Sequence, residues 1–155
     1  MTIIEKAIVS NAEEILSLQK LAYKSEAKLY NDLNIPQMTQ TLQSMQDEFG
    51  RQIFLKAIVD EKIIGSVRAF VQEETCHIGR LMVHPDFQRH GIGKKLMNEI
   101  ESLFKSCKRF ELFTGNKSEK NISLYQKIRY KIFKTEKITD KVTLIYLEKA
   151  NVNTK

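Results

Sequence analysis

The sequence predicts a mixed α/β fold (α+β) in which a mostly antiparallel sheet of about seven strands carries helices on both faces. Apolar runs at 53–59 and 62–71 are separated only by Asp60-Glu61, a spacing that is typical of an antiparallel hairpin. Farther along, strands at 75–83 and 110–114 flank a helix, and a crossover of this kind joins parallel strands. Together, these observations predict a sheet of mixed direction.

The first 50 residues predict one strand and two helices. Residues 3–9 have the pattern of a strand, and Ser10-Asn-Ala-Glu13 matches a capping box that begins a helix. Apolar residues at helical spacing follow in two stripes: Ile15, Leu18 and Ala22, then Met38, Leu42, Met45 and Phe49. We therefore expect one helix over each stripe.

The second half of the chain alternates between strands and helices. Residues 110–114 predict a short strand, and 132–138 and 142–148 predict a closing hairpin. The helix after the strand at 75–83 has one apolar face, made by Ile92, Leu96, Ile100, Leu103 and Phe104. With the strand at 3–9 and the first hairpin, these segments account for seven strands.

Length and composition predict one globular domain over residues 1–155, because 42% hydrophobic and 28% charged residues are ordinary proportions for a folded protein. The net charge of +6 suits an anionic ligand, an acidic membrane surface or nucleic acid. Because lysines are spread along the chain and no recognition motif occurs, we expect no nucleic-acid partner.

Cys76 and Cys107 are too few for a disulfide framework and suit a reducing compartment. The N-terminus has no apolar signal core, and no apolar run approaches the roughly 20 residues of a membrane span. We therefore expect a cytoplasmic protein without a membrane partner. A metal site is not expected, since His77, His84 and His90 lack ligand spacing with either cysteine.

The segment after the strand at 75–83 has the properties of a phosphate-binding loop. Its pattern Gln88-x-x-Gly91-x-Gly93 leads directly into a helix, and glycines let the backbone approach a ligand closely. The first turn of that helix offers unpaired N–H groups and the positive end of the helix dipole. Four neighbouring side chains add positive charge: Arg89, His90, Lys94 and Lys95. The spacing matches neither a Walker loop nor a dinucleotide-binding fingerprint.

A second motif lies in the helix predicted after residue 118. Ser118 is placed to cap this helix, and Asn121 and Tyr125, four residues apart, share one of its faces. Arg129 stands at the helix end, where glycine would supply a left-handed cap without steric cost. An arginine there either accepts strain or requires a different helix end.

Together the two motifs resemble those of the GNAT superfamily of N-acetyltransferases. The loop follows a Val-x-Pro strand end, as it does in that family. The residues that match the family's second motif are Asn121, Tyr125, Lys127 and Tyr130. The sequence departs from it at Arg129, where the family usually has glycine. The resemblance covers about residues 3–147 and implies the GNAT-like fold, with acetyl-CoA as the acetyl donor.

In this family the two central parallel strands separate at a bulge, and the pantetheine arm of the cofactor lies in the gap. The resemblance places this arm against Leu81, Met82 and Val83, and a backbone N–H around Met82 and Val83 is expected to stabilise the oxyanion. The other residues implied to bind the cofactor are Gln88, Arg89, His90, Gly91, Ile92, Gly93, Lys94 and Asn121.

The family's chemistry needs a proton donor for the leaving thiolate and a way to deprotonate the amine. The tyrosine that corresponds to Tyr125 is the donor in the family, whereas helical spacing alone would make it a core aromatic. Counting back from Gln88 places His77 at the position of the family's glutamate base, and an imidazole suits that role near neutral pH. Glu73, Glu74 or no protein base are the alternatives.

We expect the acceptor to be the primary amine of a small molecule that attacks acetyl-CoA directly in a ternary complex. A protein or peptide N-acetyltransferase and a non-catalytic coenzyme A-binding sensor are the alternatives. Homodimers are frequent in the family, and a homodimer is one possible oligomeric state of this chain. The family shapes its acceptor pocket with segments that correspond to 24–36 and 135–141. In the first of these, Glu26 and Asp32 would attract a cationic amine.

Overall fold

One seven-stranded sheet, in the order β1-β2-β3-β4-β5-β7-β6, organises the computed structural model, which describes residues 1–152. The strands are β1 Ile3–Lys6, β2 Ile53–Val59, β3 Lys62–Gln72, β4 Thr75–Val83, β5 Arg109–Gly115, β6 Lys131–Lys137 and β7 Thr143–Ala150. The helices are α1 Ala12–Ala22, α2 Lys24–Leu29, α3 Pro36–Thr39, α4 Leu42–Phe49, α5 Ile92–Leu103 and α6 Glu119–Lys127, with short 3-10 turns at Val9–Asn11 and Pro85–Phe87.

Neighbouring strands are antiparallel except β4 and β5, which are parallel and joined through α5. This confirms the predicted mixed sheet and both predicted hairpins. The parallel pairing is short: Thr75 pairs with Arg109, Cys76 with Phe110 and His77 with Glu111. Beyond these three pairs the two strands continue without pairing to each other, so a gap opens towards their carboxyl ends.

A β-bulge in β4 accompanies this separation. Ser66 of β3 pairs with Met82, and Arg68 pairs with Gly79, so that two residues of β4, Arg80 and Leu81, stand opposite one residue of β3. Arg80 adopts a left-handed backbone conformation with φ of 52°. Bulges bend a strand and increase its local twist, which carries the end of β4 away from β5.

Helices cover both faces of the sheet, as predicted. On one face α5 and α6 pack on the central strands through fully or nearly buried side chains, among them Leu96, Ile100 and Tyr125. On the other face α1 and α4 bury Ile15 and Met45 in a second cluster. None of the helices in residues 1–152 is both long and apolar enough to span a membrane.

The start of α1 differs from the prediction. The strand predicted over 3–9 ends at Lys6, and the chain passes through a 3-10 turn before α1 begins at Ala12. The capping box predicted at Ser10 is wrong, because the Asn11 side chain instead accepts a hydrogen bond from the backbone N–H of Ile8 at 2.9 Å.

The helix predicted over the stripe from Met38 to Phe49 is interrupted. Gln40 leaves helical geometry with ψ of 135°, and the Thr41 hydroxyl accepts from the backbone N–H of Ser44 to begin α4. The Gln40 side-chain oxygen accepts hydrogen bonds from Gln19 at 2.9 Å and from Arg68 at 3.1 Å. These tertiary contacts accompany the break between α3 and α4. The spacing of the apolar residues does not predict this break.

The C-terminus of α6 resolves the question that Arg129 raised. Arg129 adopts the left-handed conformation, with φ of 79°. Its N–H donates to the Gln126 carbonyl at 3.1 Å, and the Tyr130 N–H donates to the Tyr125 carbonyl at 2.9 Å. This is a Schellman motif with arginine at the position that glycine normally occupies, so the arginine accepts the strain.

We predict that Arg129→Gly raises the free energy of unfolding by about 0.5–1 kcal/mol. A residue with a Cβ pays roughly 1–2 kcal/mol in this conformation, and the greater entropy of glycine in the unfolded chain offsets part of that gain. Denaturant midpoints at constant m-value measure the change. Arg129→Ala is the control, since it removes the charge but keeps the strain. An equal gain from Arg129→Ala would show that strain is not the cause.

Candidate active site

Two cavities meet beside the gap between β4 and β5. The first, of about 650 Å³, is bordered by the end of β4, the loop before α5 and one side of α6. The second, of about 450 Å³, is bordered by 23–37, by the facing parts of β4 and β5, and by the turn between β6 and β7. Four residues line both cavities: Tyr23, Glu26, Leu81 and Asn121. The junction is therefore a shared wall where ligands in the two cavities would touch.

The first cavity lies against the N-terminus of α5. Gly91, the residue directly before α5, has a φ of 77°, a conformation that favours glycine. The helix dipole and free N–H groups of this first turn favour an anion. Cationic side chains of the preceding loop, of α5 and of α6 add to this potential: Arg89, Lys94, Lys120 and Lys127. The site thus has the properties of a polyphosphate cradle.

Two side chains donate hydrogen bonds to backbone carbonyls on the edge of β4 that faces the gap. The Tyr23 hydroxyl donates to the Leu81 carbonyl at 2.7 Å, and the Gln88 amide donates to the Val83 carbonyl at 3.1 Å. Both carbonyls therefore point away from β3. Because the N–H and C=O of one residue in an antiparallel strand point to the same neighbour, the Val83 N–H also faces the gap.

Tyr125 lies on α6 and lines the second cavity. Its side chain is nearly buried, and within residues 1–152 no group hydrogen-bonds to its hydroxyl. Burial raises the pKa of Tyr125, and Tyr23 and Glu26 raise it further. The hydroxyl thus stays protonated at neutral pH and is available as a hydrogen-bond donor at the cavity surface.

Glu26 of α2 is fixed at the junction by a chain of hydroxyl groups. The Ser118 hydroxyl donates to the Glu26 carboxylate and accepts from the Tyr30 hydroxyl at 2.7 Å. The backbone N–H of Lys117 donates to the Tyr30 oxygen at 2.9 Å. Ser118 occupies the predicted N-cap position, directly before α6. Its hydroxyl, however, does not hydrogen-bond to the helix backbone. It positions a carboxylate instead.

Tyr30 also attaches the segment above the second cavity to the end of β5. Its ring lies directly over Gly115, where a Cβ would come within 2.0 Å of the Tyr30 hydroxyl. Only glycine admits this close approach. The packing places α2, and with it Glu26, over the gap between the central strands.

Most residues predicted to bind the cofactor line the first cavity. They are Leu81, Met82, Val83, Gln88, Arg89, Gly91, Ile92, Gly93, Lys94 and Asn121. His90 is exposed and does not contribute to either lining.

His77, the predicted base, lies away from both cavities. Its ring stacks on Phe70, with centroids 5.0 Å apart, and its Nδ1 is 3.8 Å from the Glu111 carboxylate. The alternatives Glu73 and Glu74 are exposed in the β3–β4 turn, outside both linings. The structure brings none of the three together with Tyr125.

Sequence reasoning missed Tyr23 and Arg80, and it gave Glu26 only a general attraction for amines. Nothing in the local pattern marks Tyr23, which ends a plain amphipathic helix. Arg80 carried a weak signal, because a charged residue in an otherwise apolar strand usually has a specific partner or ligand.

The described residues contain no group of three His, Cys, Asp or Glu side chains arranged to hold a metal ion. The two cysteines are buried free thiols, and burial raises the pKa of Cys76 to about 12. Because the thiolate is the nucleophilic form, Cys76 is not suited to covalent catalysis.

Comparison with known proteins agrees with this geometry. The model of the acetyltransferase (GNAT) family matches residues 13–129. An acetyltransferase of Pectobacterium atrosepticum is 30% identical over 80 residues, which are 50% of this chain and 57% of that protein. The UPF0157 protein YqkA of Bacillus subtilis is 28% identical over 126 residues, 81% of this chain and 36% of that protein. The chain thus spans between a third and three fifths of the length of these curated relatives.

Among solved structures, the PaiA N-acetyltransferase of Thermoplasma acidophilum in complex with coenzyme A superimposes with a TM-score of 0.79. The match covers 97% of this chain and 99% of that one, at 18% identity. At this identity the likeness concerns the fold.

Proposed function

Because this chain belongs to the GNAT family of acetyltransferases, we propose that it transfers the acetyl group of acetyl-CoA to the primary amine of a small molecule, by direct attack in a ternary complex. The observation that carries the proposal is the meeting of the two cavities. One is a basic cradle at a helix N-terminus, the other holds a buried tyrosine hydroxyl, and both open on the same unpaired strand edge.

The first cavity suits coenzyme A. Gly91 and the first turn of α5, with Arg89 and Lys94, would hold the diphosphate. Leu81 and Val83 would border the pantetheine arm along the edge of β4 that β5 leaves unpaired. When bound, acetyl-CoA supplies an activated acetyl group as a thioester.

In this proposal three groups of the chain assist the transfer. Glu26, at the junction, accepts a proton from the amine, and the Val83 N–H stabilises the negative charge that develops on the acetyl oxygen. The Tyr125 hydroxyl donates its proton to the departing sulfur, consistent with its protonated state. The sequence predicts His77 as the general base, whereas the residues that line the cavities favour Glu26 in that role.

The size of the second cavity supports a small acceptor. A volume of about 450 Å³ lies within the range of small-molecule sites, and its walls include 34–37 and 138–144. A free hydroxyl at Tyr125 supports an enzyme over a non-catalytic sensor, because a sensor has no need of a proton donor there.

We predict that coenzyme A stabilises the protein through the α5 cradle. Ligand at about 100 times its dissociation constant adds about 2.7 kcal/mol by mass action, seen as a rise in Tm. Gly91→Asp should abolish this rise, because it places a side chain at positive φ and a negative charge in the cradle. Gly50→Asp adds the same side chain and charge at the exposed end of α4, where φ is −79°, and should keep the rise. A wild-type protein that shows no rise would contradict the proposal.

We predict that Tyr125→Phe lowers kcat by about 10²–10⁴-fold, the usual contribution of a general acid. Affinity for coenzyme A and thermal stability should change little, since the ring and its packing remain. Tyr146→Phe, which removes a hydroxyl bonded to Glu136 outside both linings, should leave kcat unchanged. Full turnover by the Tyr125→Phe protein would make Tyr125 a core aromatic only.

The two candidate bases are separable by pH–rate profiles. We predict that Glu26→Gln lowers kcat by about 10²-fold or more and removes the acidic limb of the profile. Glutamine retains an acceptor for the Ser118 hydroxyl, so the fold should persist. His77→Gln should leave the limb in place. The reverse outcome would restore His77 as the base and reject Glu26.

A further inference from the structure

We propose that the acceptor carries a carboxylate as well as its amine, and that Arg80 binds this carboxylate in the second cavity. The inference rests on the proposed function and adds to it a substrate class, the amino acids and their close analogues.

Arg80 faces the second cavity and not the first. It stands at the bulge of β4, directly before Leu81, where the strand leaves regular pairing. Its φ of 52° is a conformation that a residue with a Cβ adopts at a cost of roughly 1–2 kcal/mol. Bulges of this kind commonly redirect a side chain towards a functional site. The strained backbone therefore presents the guanidinium to the cavity.

No carboxylate in the described part of the chain neutralises this guanidinium. Within residues 1–152, Arg80 forms no ion pair with an acidic side chain, and its Nη1 is buried without a hydrogen-bond partner. A buried charged donor left unpaired is costly, because it has lost its water without gaining an acceptor. A carboxylate bound in the second cavity, which Arg80 lines, would supply the counter-charge that residues 1–152 lack.

A second arginine, which is buried, adds to the local positive charge. Arg68 is 2% exposed and its Nε lies 3.1 Å from the Glu48 carboxylate. Burial lowers the pKa of Arg68 to about 10; Glu48 opposes the shift, and nearby Arg80 adds to it. Among the described side chains, Glu48 pairs with Arg68 alone, so the positive charge of Arg80 has no counter-ion in this cluster. An entering carboxylate would balance the excess and could accept two parallel hydrogen bonds from Arg80.

The cavity has room for such a ligand beside Arg80. A Cβ at Gly79, the preceding residue, would meet no heavy atom within 4 Å, so the space next to the arginine is open. The same cavity is lined by Glu26 and Asp32 on α2 and after it. One cavity therefore offers a cation for a carboxylate and carboxylates for an ammonium group, which matches both ends of an amino acid.

The test compares amines in pairs that differ only by the carboxylate, such as leucine with isoamylamine and phenylalanine with phenethylamine. Acetyl-CoA consumption is read as free thiol release. We expect the wild-type enzyme to favour the carboxylate member of a pair by at least about tenfold in kcat/KM. Arg80→Gln should remove this preference mainly through KM, and Arg80→Lys should retain part of it.

Arg80→Gly provides a variant that should fold, because glycine adopts positive φ without strain. It should lose the preference for the carboxylate member while keeping the thermal shift with coenzyme A. Equal or better turnover of the plain amines, or a preference that survives in both Arg80→Gln and Arg80→Gly, would overturn the inference and leave the proposed function intact. Turnover of no amine in the panel would count against the proposed function itself, and the inference would fall with it.

Discussion

The parallel pairing of β4 with β5 stops after three residue pairs, and the arrangement of the site depends on where it stops. A longer ladder would close the gap in which both cavities meet and would satisfy the backbone groups that a ligand could use. The bulge at Arg80 and Leu81 is the local cause, because it inserts one extra residue opposite β3 and turns the end of β4. The binding cleft therefore forms where β4 and β5 make no hydrogen bonds to each other.

Electrostatics divides the cleft into two environments. The first cavity is basic because a helix N-terminus and lysine and arginine side chains converge on it from α5 and α6. The second carries both signs, with Arg80 on β4 facing acidic groups held by α2. Between them Tyr23, whose pKa burial raises to about 12, holds a neutral hydroxyl against the Leu81 carbonyl. Glu26 is thus the charged member of the wall that the two cavities share, and Tyr23, Leu81 and Asn121 are its uncharged members.

Local sequence patterns predicted those parts of the molecule that local physics determines. The glycines at 91 and 93 mark the start of α5, although Gly93 lies inside the helix and not in the loop, and the four-residue spacing of Asn121 and Tyr125 marks one face of α6. Features that depend on distant partners were not predictable. The break at Gln40 accompanies contacts with Gln19 and Arg68, far away in sequence.

The same limit applies to the candidate site. The Ser118 hydroxyl turns from the helix backbone to Glu26, 92 residues away, which no pattern around Ser118 discloses. The sequence places a candidate base by its distance from Gln88, and the bulge at Arg80 and Leu81, which lies between the two positions, is not visible in the sequence. His77 consequently falls in the paired part of β4, beside Glu111, rather than at the gap.

The wall that the two cavities share has a thermodynamic consequence. Four residues border both cavities: Tyr23, Glu26, Leu81 and Asn121. A ligand that orders these side chains from one cavity reduces the entropy that a ligand in the other cavity must lose on binding. Such coupling is reciprocal: whatever factor one ligand adds to the affinity of the second, the second adds to the affinity of the first. Shared lining residues are therefore the place where binding in one cavity would change the affinity of the other.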